Sequence, residues 1–123
     1  MAKRIKYLAK KLIKFALEKK AEDVVLLDLR KISPVADFFI ICSGTSDVQV
    51  RAILENILEQ CEKNKIDIYH VEGEESLRWV LIDLVDVVLH IFQPEVRRYY
   101  QLERLWGDAP KETYSTENEG VAR

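Results

Sequence analysis

The chain has 123 residues, of which 48% are hydrophobic and 33% charged, and its formal net charge is −2. That length suits one domain able to bury roughly two-thirds of the surface its unfolded form exposes, and no apolar run approaches the ~20 residues needed to cross a bilayer, so a membrane-spanning helix is excluded and a soluble, cytoplasmic protein is expected. The small net charge hides an asymmetry, because residues 1–20 carry eight lysines or arginines against the single acid Glu18, and an acidic remainder follows.

From Lys3 to Lys20 the residues Ile5, Leu8, Leu12 and Ala16, with their neighbours Ala9 and Ile13, recur at three- and four-residue steps and predict an amphipathic helix. Lysines alternate with these apolar residues, unlike the uninterrupted apolar core of a signal peptide. Its basic face could meet RNA phosphate or simply lie in solvent. Two continuous apolar runs follow, within Asp23 to Leu29 and Phe38 to Cys42, as interior strands covered on both faces require; Ser33-Pro34 separates them. Gly44-Thr45-Ser46 then opens a second helix, whose stripe is Val50, Ile53, Leu54, Ile57, Leu58 and Cys61, with Ser46 and Gln49 spaced as a capping box.

Ile66 to Val71 reads as a weaker strand and Glu72 to Ser76 as an exposed turn. Trp79 to Asp83 and Asp86 to Phe92 are strands close enough to form an antiparallel hairpin. Pro94 and Glu95 suit the first turn of a helix that continues through Trp106. Past Gly107 the composition turns polar. The expected organisation is a single domain over residues 1–109 with a flexible tail over 110–123, built as an α/β fold: a mixed five-stranded sheet with packed helices.

The motifs for catalysis are weak. A P-loop needs several glycines and a lysine converging on phosphate, whereas Gly44 stands alone and no lysine follows until Lys63. A magnesium-dependent transferase needs paired carboxylates; the strand after the second helix offers only Asp67, and Asp83 and Asp86 fall in a turn, where carboxylates usually cap backbone N–H groups. His70, Glu72 and His90 have metal-ligating chemistry but no supporting spacing, and His90 reads as a strand histidine at the surface. Cys42 and Cys61 form neither a CxxC pair nor a zinc knuckle, and no nucleophile elbow is present. No catalytic, cofactor or metal site is therefore expected; the alternative is a metal-dependent nucleotidyltransferase or phosphohydrolase using Asp83, Asp86 and His90.

The last helix says more. Tyr99, Tyr100, Leu102, Leu105 and Trp106 wrap more than one face, and a single packed stripe would not use them all. With Arg97, Arg98 and Arg104 beside them, they have the composition of a protein interface. Trp79 and Leu81 alternate onto one strand face, and a regularly paired hairpin adds His90 to it. Trp79, Leu81, His90, Tyr99, Tyr100, Leu102 and Trp106 thus form the candidate partner-binding set.

In order along the chain, Asp23-Val24-Val25, Ala36-Asp37-Phe38-Phe39, Ser43-Gly44-Thr45-Ser46 with Gln49-Val50, Glu72-Gly73, Trp79, Asp83, Asp86 through Phe92 and Arg98 through Trp106 closely resemble the ribosomal silencing factor family, RsfS or Iojap-like, from about residue 3 to Ala109. The resemblance implies a nucleotidyltransferase-like fold lacking catalytic acids. It further implies a homodimer that represses translation by binding ribosomal protein fourteen of the large subunit and blocking entry of the small subunit. One departure is the hairpin turn, Leu84-Val85-Asp86, where family members often place glycine before the second aspartate.

Overall fold

The computed structural model describes residues 2–115. Helix α1 (Ala2–Leu17) leads into strand β1 (Glu22–Asp28), which pairs antiparallel with β2 (Phe38–Ser43); α2 (Asp47–Lys63), β3 (His70–Glu72), β4 (Trp79–Asp83) and β5 (Val87–Phe92) follow. Two short helices, α3 (Pro94–Tyr100) and α4 (Leu102–Leu105), precede a last strand, β6 (Lys111–Tyr114). The strands form one mixed sheet in the order β3-β4-β5-β2-β1-β6. Its centre is the parallel pair β2 and β5, both buried along their whole length, and burial on both faces is why their sequences run apolar without alternation.

One face of the sheet carries α1 and α2. Ala9, Leu12, Ile13 and Ala16 of α1 and Val50, Ile53 and Ile57 of α2 meet Leu26, Phe38, Ile40, Val80, Val87 and Leu89 in a continuous core. The opposite face gathers Val25, Leu27, Phe39, Ile41, Val88 and Phe92 beneath Val96 of α3 and Ala109.

Three expectations need correction. The sheet has six strands and not five, and this arrangement replaces the nucleotidyltransferase-like five-stranded fold. The added strand lies in the stretch expected to be a flexible tail: Lys111–Tyr114 pairs with Val24 to Leu27. A four-residue, mostly polar strand has no readable alternation; it is held by ladder hydrogen bonds along β1, by burial of Tyr114, and by Glu112, which accepts from the Tyr114 hydroxyl (2.6 Å) and from Lys6 Nζ (3.1 Å). The rest of the expected tail, residues 116–123, lies outside the described residues. Third, the helix expected from Pro94 through Trp106 is broken at Gln101, whose backbone is left-handed (φ 47°, ψ 53°).

The hairpin departure also has a structural meaning. Val85 occupies the turn between β4 and β5 with φ 74°, a left-handed conformation that a β-branched residue adopts only with strain. Asp83 Oδ1 accepts from Val85 N (2.8 Å), and the Asp86 carbonyl accepts from Asp37 N and Phe38 N (2.8 and 3.1 Å). The neighbours hold the turn that glycine would take freely.

Candidate docking surface

The Gly44-Thr45-Ser46 turn is a helix cap. Gln49 Oε1 accepts from both Thr45 N (2.7 Å) and Thr45 Oγ1 (3.0 Å), and Gln49 N donates to Ser46 Oγ (3.1 Å), so the Thr45 and Gln49 amides are already engaged within the turn. Gln49 Nε2 reaches back to the carbonyls of Lys19 and Lys20, tying the turn to the end of α1. Gly44 allows helix and strand to approach: a Cβ there would stand 2.9 Å from Val50 Cγ2. Burial pushes the Cys42 thiol up to about 12 and that of Cys61 to about 11, which leaves neither available as a thiolate. His70 and Glu72 pair with each other on the edge strand (2.8 Å), one strand removed from His90. Among the described residues no group of three His, Cys, Asp or Glu side chains is placed to hold a metal.

The aromatic set assembles on the face opposite α1 and α2. Register in the hairpin puts Trp79 opposite Phe92 and Leu81 opposite His90, so these side chains share a face with Phe39 of β2. Gly73 lets β4 begin where it does: its φ is +83°, and a Cβ would fall 2.0 Å from the Trp79 carbonyl oxygen. Gln93 fixes the exit from β5, with its backbone N–H on the Arg78 carbonyl (2.9 Å) and its side-chain amide on the Leu77 carbonyl (3.0 Å) and Asp47. Proline at the next position then starts α3 directly over the sheet.

Trp79 is the pivot. Its ring stacks on Phe92 (centroids 4.8 Å apart) and meets Tyr100 at the same distance, and Tyr100 contacts Tyr99 edge-on at 5.0 Å. Tyr99 is 81% and Tyr100 52% exposed. Trp79, Val96, Tyr99 and Tyr100, with Arg78 and Glu95 at the rim, line a groove of about 610 Å³. Leu81, Leu102 and Trp106 are half-buried against the same core, and Trp106 meets Phe39 at 6.0 Å. Leu105, outside the expected set, is 73% exposed. Arg78 carries no distinctive pattern in the sequence, and Glu95 is legible there only as a first-turn acid of α3.

His90 does not reach the surface. It lies under this patch at 3% exposure. Its Nδ1 accepts from the Trp79 indole N–H (3.1 Å), which places the proton of the neutral ring on Nε2. That atom is buried with no hydrogen-bond partner among the described residues, and the Phe39 ring lies edge-on to the imidazole with centroids 4.7 Å apart. Burial lowers the His90 pKa to about 4, so the ring stays neutral and keeps accepting from Trp79 at physiological pH. A histidine in an apolar run gave no sign in the sequence of which ring would lie over it.

Comparison with known proteins bears on this surface. Residues 2–123 match the RsfS family, described as ribosomal silencing factor during starvation. The chain is 53% identical over 93 residues to the ribosomal silencing factor RsfS of Bacillus subtilis, covering 76% of this chain and 79% of that protein. It is 51% identical over 104 residues to RsfS of Halalkalibacterium halodurans, covering 85% and 86%. A crystal structure of a Chromobacterium violaceum protein superposes with a TM-score of 0.81 at 36% identity, covering 84% of this chain and 86% of the other.

Proposed function

We propose how this chain acts from the premise that it belongs to the RsfS family of ribosomal silencing factors. Its role is the ribosome-silencing, translation-repressing role of that family, and it is a regulatory protein without catalytic activity. No helix among the described residues is long and apolar enough to cross a membrane, and we place its action in the cytoplasm.

In our reading it docks on ribosomal protein fourteen of the large subunit and occludes the small subunit. Such a mechanism needs only placement: a body lodged on a surface that another particle must cover excludes it by volume. The carrying observation is the open aromatic groove, in which exposed Tyr99 and Tyr100 stand beside half-buried Trp79 as anchor side chains. Leu81, Leu102 and Trp106 extend the contact, and His90 acts through Trp79 by fixing its indole. The free protein is a homodimer with a symmetric interface, and the basic α1 adds a minor contact to rRNA.

The decisive experiment measures binding of Trp79→Ala and Tyr100→Ala to isolated ribosomal protein fourteen alongside their melting temperatures. Lost binding with Tyr100→Ala at a preserved melt supports the groove. Unchanged binding by both folded variants removes it. Co-sedimentation of the parent with large subunits in lysate, and light scattering well above the 14.4 kDa chain mass, test ribosome association and dimerisation separately.

A further inference from the structure

A second cavity, of about 630 Å³, opens between the β1–β6 edge and the two C-terminal helices. The break at Gln101 makes it: by turning the chain between α3 and α4, it brings Arg97, Arg98 and Arg104 onto one wall. Arg97 is built in, with Nε and Nη2 paired to the Glu103 carboxylate (3.0 Å each) and Nη1 donating to Ser43 Oγ (2.8 Å). Its side chain is only 12% exposed, so this pair is neutral and fixed. Arg104 Nη1 donates to Gln101 Oε1 (3.1 Å), a neutral partner that leaves its charge uncompensated. Arg98 has no side-chain partner among the described residues. Against these two guanidiniums the cavity sets the carboxylate of Asp23 at the start of β1, with Thr113 also on its lining and Val25 as its apolar floor.

We infer that this cavity binds a small molecule carrying adjacent phosphoryl groups, of the size of a nucleoside diphosphate. Guanidinium forks grip oxyanions by paired hydrogen bonds, and two forks without a charged partner offer more donors than one planar carboxylate can accept, whereas a diphosphate presents enough terminal oxygens for both. The volume exceeds what the phosphoryl groups fill and falls in the range of small-molecule sites; the apolar floor accommodates the rest. The site lies apart from the aromatic groove and shares none of its lining residues, so it stands or falls independently of the docking surface.

The test is calorimetric titration of the full chain with inorganic pyrophosphate and with ADP at low and moderate salt. The expected result is saturable binding, one ligand per chain, weakened at least about tenfold by Arg98→Ala and by Arg104→Ala and unchanged by Lys10→Ala and Lys14→Ala on the other basic surface. Both arginines are exposed, and unchanged melting temperatures establish that the variants fold. Tighter binding of ADP than of pyrophosphate assigns the floor to the nucleoside; equal binding assigns recognition to the phosphoryl groups alone. No saturable binding, binding weakened equally by the lysine changes, or arginine-dependent binding of single-stranded RNA or an acidic peptide without binding of pyrophosphate or ADP would overturn the proposal.

Discussion

The two faces of the sheet are built from similar apolar strands and differ in what covers them. On one, helices of 16 and 17 residues lay long stripes across the strands, and Ala9, Leu12, Ala16, Val50, Ile53 and Ile57 are all fully buried. On the other, helices of seven and four residues are too short to cover the same width, and the shortfall is met by half-buried Trp79, Leu81, Leu102 and Trp106. The first face contributes stability. The second is an incomplete core that continues into a surface, and aromatic side chains serve both purposes because each has a large apolar body and, in Tyr and Trp, a polar tip.

Cavity-forming changes give the largest effect that separates the faces. Leu12→Ala or Ile53→Ala should lower stability by about 2–5 kcal/mol in urea denaturation, while the fraction that remains folded binds the partner as the parent does. Loss of intrinsic affinity in these variants would mean that the faces are coupled.

Next is acid sensitivity of the second face. His90 titrates at about 4 when folded, against 6.5 unperturbed, so the unfolded chain takes up a proton first as pH falls. The associated stability is fully present above about pH 6.5 and is lost as pH drops through about 4, to a total of roughly 3 kcal/mol. Denaturation at pH 7, 5.5 and 4.5 should show His90→Phe less acid-sensitive than the parent; parallel pH profiles would contradict the burial seen here.

Tyr100→Ala should cost about 2 kcal/mol of binding, near thirtyfold, with a small change in melt because Tyr100 is half-exposed. Trp79→Ala should lose both binding and some stability, since it removes the stack on Phe92 and leaves His90 without its indole donor. Smallest is a gain. Val85→Gly should relieve left-handed strain of about 1 kcal/mol and raise the melting temperature by about 4 °C, leaving binding untouched because the turn lies at the far end of β4 from Trp79.

The covered face was the legible one. The stripes of α1 and α2 and the runs of β1, β2 and β5 are long-range periodic signals, because each residue's environment repeats with the element's own period. The capping role of Ser46 and Gln49 was equally readable, as side-chain geometry over three residues decides it. The register that places Trp79, Leu81 and His90 on one face followed from alternation once the hairpin was recognised. The depth at which each sits did not, because it depends on helices packed from elsewhere. Gln101 carries no mark of a helix break; glutamine is a good helix former, and tertiary packing overrides that preference. The polar strand β6 lacks alternation, and the lysine and tyrosine that hold its glutamate lie 106 residues before it and two after.

That clasp orders the assembly of the molecule. β6 can pair only with β1, which stands near the opposite end of the chain, so its ladder closes one of the longest loops available, and the entropy of that closure must be met before any of its contacts form. Closure of the sheet edge therefore comes late in folding, after the β1–β2 hairpin has formed the platform for it. A chain stopped at Ala109 should fold at the parent's rate in stopped-flow refolding yet unfold faster, because β6 adds its contacts to a core that α1 and α2 have already closed.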